Sequence, residues 1–217
     1  MDLPLEMRAR AAADALKENP ENLPPIMPQA MVGVFIAKPF LAMITGKKWA
    51  RGRTIDVSFL GGVEKIIEKV KTYAKKWEES AELKFNFVAK KGTIRISFVI
   101  GDGSWSYIGT DALQIPQDQA TMNFGWLTET TPDVEYERVV VHEFGHALGC
   151  IHEHQHPRAG IPWDKPKVYA HYAKMGWSKE DVDNNIFKKY SETITNFSSY
   201  DKQSIMHYAV PNDLTVG

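Results

Sequence analysis

The chain has 217 residues, of which 43 % are hydrophobic and 24 % are charged, and this composition excludes wholesale disorder and fibrous repeats. Its 26 basic and 27 acidic side chains give a formal net charge of −1, which provides no positive field for nucleic acid or an anionic membrane. The single cysteine, Cys150, rules out an intramolecular disulfide, so a metal site has to rest mainly on His, Asp, Glu or Tyr.

The N-terminal part reads as an extension that precedes the main domain. Leu5 to Lys17 has the composition of a helix that Asn19-Pro20 ends, and the sequence PENLPPIMP predicts an extended linker. The apolar stretch 31–44 is interrupted and shorter than the roughly 20 residues of a transmembrane helix. The beginning of the chain also lacks the apolar run of a Sec signal peptide. We therefore expect residues 1–48 to be an N-terminal extension or a pro-segment.

From residue 49 onward the periodicities predict a domain of mixed helix and sheet. Apolar and polar residues alternate from Ile55 to Phe59, as half-buried strands do. Apolar residues from Val63 to Trp77 recur at helical spacing and predict a helix that packs on the core. The remaining predicted elements are strands at 83–87, 94–98 and 122–127, a helix from the Thr131-Pro132 cap to Gly149, and a mostly helical segment 165–190 in which Ser178 and Asp181 form a cap.

Five of the seven histidines lie in the segment HEFGHALGCIHEHQH. His142 and His146 are four residues apart, so a helix projects both imidazoles from one face toward a single metal ion. Gly149 can end that helix and turn the chain back, which lets His152 complete a set of three imidazoles. Three protein ligands with an open fourth position are typical of catalytic Zn²⁺. Glu143 is poorly placed as a ligand but able to reach a water molecule on the metal, so it is the predicted general base.

Other residues near this segment have plainer interpretations. His154 and His156 have no spacing that points to the metal, and we expect them on the surface or supporting the ligands. Cys150 is expected to be a buried thiol, because free cysteine behaves as a small hydrophobic residue. His171 is expected on the surface of a helix.

The zinc segment resembles the signature of the metzincin peptidases. Glu153 and the later sequence Ser204-Ile205-Met206-His207-Tyr208 are similar to the astacin branch, the M12A type. The resemblance implies an α+β, metzincin-like zincin fold, with a twisted mixed β-sheet, a long core helix, an active-site helix and a mostly helical C-terminal subdomain. It makes Met206 the residue of the Met-turn, and Tyr208 a catalytic tyrosine that binds the metal or swings away.

The same resemblance divides the catalytic domain, residues 49–217, into an upper subdomain to about 149 and a lower subdomain 150–217. Gly103 to Gly109 resembles the family's substrate-side edge strand, which makes Trp105 and Tyr107 candidate substrate contacts; packing within the strand is the alternative. In mature members of the family the residue equivalent to Glu153 contacts a buried N-terminus, which implies cleavage near residue 48. Only nine residues follow Tyr208, so a truncated or trimmed lower subdomain is expected.

These features predict a zinc-dependent metalloendopeptidase with one Zn²⁺ per chain, held by His142, His146 and His152, and with Glu143 activating the attacking water. The expected partner is a protein or peptide substrate, with no nucleic acid, no membrane and a monomeric chain. Two alternatives stay open. One is a zinc-binding protein that is catalytically silent, or latent because residues 1–48 block it. The other is a metal-dependent hydrolase of a non-peptide bond.

Overall fold

The computed structural model describes residues 1–22, 42–190, 195–196, 199–207 and 210–216. The chain separates into two compact units, one formed by Met1–Ile26 with Ile44–Cys150 and the other by Met27–Met43 with Ile151–Gly217. None of the described helices is long and apolar enough to cross a membrane. The α+β class that the sequence predicts is confirmed, and each unit is described below by itself.

A five-stranded sheet forms the centre of the first unit. In spatial order the strands are β3-β2-β4-β6-β5. The four strands β3, β2, β4 and β6 run parallel to one another, and β5 pairs antiparallel with β6 at one edge. The strands are β1 (Met43–Ile44), β2 (Arg53–Phe59), β3 (Leu83–Phe87), β4 (Ile94–Ser97), β5 (Ser104–Ser106) and β6 (Met122–Phe124), with β1 outside the sheet. The predicted strands of the domain are thus present, although β6 ends three residues earlier than expected.

Two helices of the first unit, α2 (Glu64–Ala74) and α3 (Asp133–Ala147), carry the apolar stripes that bury against each other and the sheet. The rings of Phe85 and Phe144 meet edge to face, with centroids 5.0 Å apart. The predicted α2 continues to Trp77 only as a 3₁₀ helix, and the indole of Trp77 donates to the carbonyl of Val141 at 2.9 Å. This bond anchors the end of the α2 segment to the middle of α3.

The start of α3 differs from the prediction in its cap. Pro132 precedes the helix in an extended conformation, and no side chain caps it. The hydroxyl of Thr131 accepts instead from the backbone N–H of Thr128 at 2.9 Å. A tight turn before the helix competes for the hydroxyl, as threonine side chains often allow. The helix itself lies where the sequence places it.

Residues 1–22 pack within the first unit. Helix α1 (Leu5–Glu18) is followed by a 3₁₀ turn at Pro20–Asn22 rather than the extended start of a linker; the rest of that linker lies outside the described residues. The buried amide of Asn19 donates to the carbonyl of Trp49 at 3.1 Å. The buried amide of Asn22 both donates to the carbonyl of Lys48 and accepts from its N–H. Buried amides that pair with backbone in this way fix the segment in one position.

The second unit is mostly helical between residues 165 and 187, close to the predicted segment 165–190. Helix α4 (Lys165–Ala173) is followed by α5 (Lys179–Val182) and a π-helical turn at Asp183–Phe187. The predicted capping pair is present, because Ser178 and Asp181 each accept a hydrogen bond from the other's backbone. The short strand β7 (Thr195–Asn196) also belongs to this unit. Its apolar core contains Val168, Val182, Ile186 and Leu214.

Candidate metal centre

Helix α3 presents His142 and His146 one turn apart, with ring centroids separated by 4.8 Å. Nδ1 of His146 lies 2.9 Å from the carbonyl oxygen of Cys150. A carbonyl only accepts, so Nδ1 carries the proton and Nε2 keeps its lone pair for a metal. Gly149 has a φ of 106°, and the N–H of Cys150 returns to the carbonyl of Gly145 at 2.9 Å. The glycine thus ends the helix and turns the chain back, so that the carbonyl of Cys150 can orient the His146 ring.

The three predicted ligands form a group suited to one metal ion. His142, His146 and His152 each offer a ring nitrogen, and these atoms all lie within 4.8 Å of one another. Zinc bonds imidazole at about 2.1 Å, so nitrogens of one tetrahedral site are about 3.4 Å apart. Small side-chain movements bring the three rings to that separation. The donor set therefore fits zinc, as three neutral nitrogen ligands with room for a fourth do in catalytic sites.

Glu143 is a buried carboxylate beside this group. Its side chain is 5 % exposed, and among the described residues its Oε2 has no hydrogen-bond partner. Burial raises the pKa of Glu143 to about 8, against the opposing effects of the Met1 ammonium and Arg138. Burying an unpaired carboxylate costs free energy, and buried groups with shifted pKa values are common at functional sites. Its place on α3 and its free oxygen suit a group that exchanges protons.

In the second unit, Glu153 is joined to the turn that contains Met206. The N–H of Glu153 donates to the Met206 carbonyl at 2.9 Å, and its Oε1 accepts from the Asp201 N–H at 3.0 Å. Met206 is fully buried, in a tight turn that the Ser204 carbonyl and hydroxyl close. These contacts agree with the Met-turn that the resemblance implies. Tyr208 lies outside the described residues, so its catalytic and metal-binding roles stay predictions.

The Glu153 carboxylate also accepts a hydrogen bond from the backbone of Ala42, and burial raises its pKa. Glu153 is fully buried, and its Oε2 has no partner in the part of the chain that the structure describes. The resemblance led us to expect a contact between Glu153 and a new N-terminus near residue 48. The backbone that reaches Glu153 is instead that of Ala42, six residues earlier.

His154 and His156 are buried, so the surface interpretation of these two residues is wrong. Nε2 of His154 lies 2.8 Å from the carbonyl oxygen of Asn185, and Nδ1 of His156 accepts from the Arg158 N–H at 2.9 Å. Outside a regular helix, spacing gives no direction for a side chain, which is why the sequence could not predict this. Cys150 is buried, as predicted.

The predicted substrate contacts lie on and next to β5, at the edge of the sheet. Trp105 and Tyr107 are half-buried, and their rings meet edge to face at 6.0 Å. Tyr107 packs against the apolar cluster of Leu3, Ala11 and Ile115. Between them, the carbonyl of Ser106 accepts a hydrogen bond of 2.6 Å from the amino group of Met1. Contact of either ring with substrate stays a prediction.

Sequence reasoning missed two charged groups close to the candidate centre. Arg138, one helical turn before His142, donates from Nε and Nη2 to the carboxylate of Glu135, each at 2.7 Å. Its spacing of four residues from His142 was a usable signal for a place on the same helix face. Asp111 is buried and pairs with Lys47 at 2.5 Å. No local sequence pattern predicts this ion pair, because its two residues are distant in sequence.

Comparison with known proteins places these observations in a family context. The family model described as Astacin (Peptidase family M12A) matches residues 43–213. Protein SpAN of Strongylocentrotus purpuratus is 30 % identical over 142 residues, which are 61 % of this chain and 20 % of that protein. The chain therefore spans about a fifth of the length of this curated relative.

Several solved structures are similar to this chain. Myroilysin shares 53 % sequence identity, with a TM-score of 0.79, over 81 % of this chain and 86 % of that one. High choriolytic enzyme 1, a hatching enzyme zinc-protease of Oryzias latipes, has a TM-score of 0.51 and 18 % identity over 79 % of this chain and 76 % of that one. At this identity the second match shows a shared fold alone.

Proposed function

Because this chain belongs to the astacin family, the M12A family of zinc metalloendopeptidases, we propose that it hydrolyses internal peptide bonds of protein or peptide substrates. One observation carries the proposal: three imidazoles converge on a metal-sized space beside a buried carboxylate with a free oxygen. That combination suits hydrolysis of an amide bond by a metal-activated water, whereas structural zinc sites usually fill all four positions with protein ligands.

His142, His146 and His152 would hold the zinc ion. When bound, zinc supplies a Lewis acid that lowers the pKa of a water molecule and polarises the scissile carbonyl. Glu143 accepts the proton of the attacking water on Oε2 and later delivers it to the nitrogen of the leaving amine. Burial favours the protonated form of Glu143, so the carboxyl holds the proton until it passes to the nitrogen of the leaving amine.

Other residues act by orienting these groups. The bond from Nδ1 of His146 to the Cys150 carbonyl fixes the tautomer and the plane of the ring. By its resemblance to the family's tyrosine, Tyr208 is proposed to donate a hydrogen bond to the oxyanion of the tetrahedral intermediate. Met206 is proposed to support the zinc ligands from below.

The substrate is proposed to add a strand antiparallel to β5, whose outer edge has no neighbouring strand in the five-stranded sheet. Trp105 and Tyr107 would flank that strand. The enzyme is proposed to work as a monomer, and its near-zero net charge supports the absence of nucleic acid or an anionic membrane as partner.

We propose that residues 1–48 are a pro-segment that blocks the cleft. Support comes from residues 1–22, which pack within the first unit, and from the nitrogen of Met1, which donates a hydrogen bond to the Ser106 carbonyl at the edge of β5. A substrate strand needs the same carbonyl. A chain starting at Ala42 is expected to show at least about tenfold higher specific activity than the full chain, because loss of a competing strand frees main-chain hydrogen bonds. A less active or insoluble product would contradict the pro-segment.

The enzymatic proposal is tested by incubating pure protein with a denatured protein, with and without a zinc chelator, and identifying the cut sites by mass spectrometry. We expect internal cuts that the chelator abolishes and about one zinc per chain. His146→Ala should lose most of the zinc. Bound zinc without any cut, by both the full chain and the chain starting at Ala42, would favour a silent zinc-binding protein.

A further inference from the structure

An apolar surface lies at the end of the sheet where its parallel strands finish. Five large apolar side chains are exposed there, with Val99 at 56 % and Ile100 at 79 % the most open. The other members are Leu60, Val63 and Trp126. We call this group the carboxyl edge. A group of neighbouring apolar side chains at this exposure is costly in water and commonly marks a binding surface.

The backbone brings these residues together. Strands β2, β4 and β6 are neighbours and run in the same direction, so their carboxyl ends meet at one edge of the sheet. Leu60, just past β2, donates its N–H to the Ile96 carbonyl of β4 at 2.8 Å. Gly101, past β4, donates to the Gly125 carbonyl beside Trp126 at 3.2 Å. The carboxyl edge is therefore one continuous surface of the first unit.

The loop that carries Val99 and Ile100 is held from inside by Asn123, which is fully buried. The side-chain oxygen of Asn123 accepts from the Val99 N–H at 2.8 Å. Its amide nitrogen donates to the carbonyls of Val99 and Gly103, at 3.1 and 2.6 Å. Because these bonds use the polar backbone groups of the loop, its apolar side chains are presented outward in a preset position, which lowers the entropic cost of binding.

The same loop leads directly into β5, and this fixes what can reach it. A chain that pairs antiparallel with β5 passes Ser106 first and Ser104 afterwards. Helix α3, which carries His142, Glu143 and His146, packs against β5, so the scissile bond lies opposite β5. With about 3.3 Å per residue, a substrate that continues past Ser104 reaches the carboxyl edge roughly four to seven residues after the scissile bond.

We propose that the carboxyl edge is a second substrate-binding surface, which binds apolar side chains of the polypeptide on the C-terminal side of the cut. This inference rests on the proposed peptidase function and adds a preference to it. The occupant is apolar because the exposed members offer no charge, and the nearby Asp102 carboxylate accepts from the indole of Trp105 at 3.1 Å. Good substrates should therefore extend several residues beyond the scissile bond and carry hydrophobic residues in that extension.

Three peptides that share one cleavage sequence test the proposal. The first ends three residues after the scissile bond, the second continues with six residues rich in Leu, Val and Phe, and the third continues with six Ser and Gln residues. We expect the second to have a KM about tenfold lower than the others, with kcat unchanged, since the extra binding is remote from the reacting bond. Equal KM values for all three peptides would overturn the proposal.

The double variant Val99→Ser with Ile100→Ser should raise the KM of the apolar extended peptide about tenfold and leave the short peptide unchanged. Met175→Ser is the matched control, because Met175 is an exposed apolar residue of the second unit. An equal effect of the double variant on the short and extended peptides would contradict a binding role.

A direct measurement separates this inference from the proposed function. The apolar six-residue segment, labelled with a fluorophore, is titrated with the full chain and its affinity followed by anisotropy. Weaker binding to the double variant than to Met175→Ser supports the surface, and equal binding to both refutes it. Absence of cleavage of all three peptides by both the full chain and the chain starting at Ala42 would instead count against the peptidase function.

Discussion

Arg95 and Glu143, two of the charged side chains buried in the first unit, are buried under opposite conditions. Arg95, in β4, is 1 % exposed, and its guanidinium donates to the carbonyls of Gly92, Thr93, Ile115 and Gln119. Glu143, in α3, is 5 % exposed and has an oxygen without a partner among the described residues. Burial of either charge costs free energy, but only the guanidinium of Arg95 forms hydrogen bonds that offset this cost.

The difference separates a structural charge from a chemical one. The hydrogen bonds of Arg95 connect the loop before β6 with the turn before β4. In the same loop, the carbonyl of Thr121 accepts from the N–H of Tyr107, next to the edge strand. Removing Arg95 should therefore harm the fold. Glu143 contributes no such bonds through Oε2, and removing its charge should harm the reaction and spare the fold. The two residues make this contrast testable.

The largest expected effect is on turnover. Glu143→Gln keeps the size of the side chain and removes the proton acceptor, so kcat/KM for a cleavable peptide should fall by about 100- to 10,000-fold. Zinc content and circular dichroism should match the unaltered chain, because Glu143 is not a ligand. Activity within a few-fold of the original would place the general base elsewhere.

Arg95→Met should lower the free energy of unfolding by about 3–5 kcal/mol, since it leaves several buried carbonyls without a donor. The measurement is urea unfolding of the purified variant. Arg51→Met is the control, because Arg51 is exposed and forms a weak ion pair, in which its guanidinium comes no closer than 3.9 Å to the Glu82 carboxylate. This change should alter the free energy of unfolding by less than about 0.5 kcal/mol. Equal losses of unfolding free energy for both variants would show that Arg95 has no special structural role.

The sequence predicts regular elements better than it predicts these buried charges. The alternation at Ile55 to Phe59 and the stripe from Val63 onward report which face is buried, and both elements exist. Arg95 lies in an alternating pattern where a charged residue reads as solvent-facing. Its burial depends on a loop that is 20 to 24 residues away in sequence, at Ile115 and Gln119. Pairings of that kind leave no local periodicity.

The candidate site divides in the same way. His142, Glu143 and His146 are predictable because a helix converts spacing into direction. His152 follows from the turn at Gly149. The burial of His154 and His156, the pair between Lys47 and Asp111, and the contact of Glu153 with Ala42 all depend on how distant segments meet, so they become visible only in the structure.

The raised pKa of Glu143 sharpens the comparison through pH. In metal-free protein the folded pKa is about 8 and the ordinary value is 4.5, so between these values the folded state holds a proton that the unfolded state has released. This contribution to stability is present at low pH and is lost as pH rises through 8. Between pH 5 and 8, chelator-treated wild type should lose about 3 kcal/mol relative to Glu143→Gln.

Unfolding of both chelator-treated proteins in urea at several pH values measures this difference. Titrations common to the two chains cancel, so a constant difference across the range would show that the carboxyl of Glu143 titrates normally. Such a result would also weaken the argument that burial helps Glu143 retain its proton during the reaction.

The smallest expected effect concerns the neutral hydrogen bonds between one hydroxyl group and the backbone of Arg95. The hydroxyl of Thr121 accepts from the Arg95 N–H at 2.8 Å, and Thr121→Val removes that acceptor while keeping the shape of the side chain. The buried N–H is left unpaired, which should cost about 1–2 kcal/mol in urea unfolding. In combination with Arg95→Met the losses should fall short of additive by at least about 0.5 kcal/mol, because both changes release the same loop. Strict additivity would mean that the guanidinium and the hydroxyl stabilise separate parts of the sheet, and the contrast with Glu143 would then rest on the guanidinium alone.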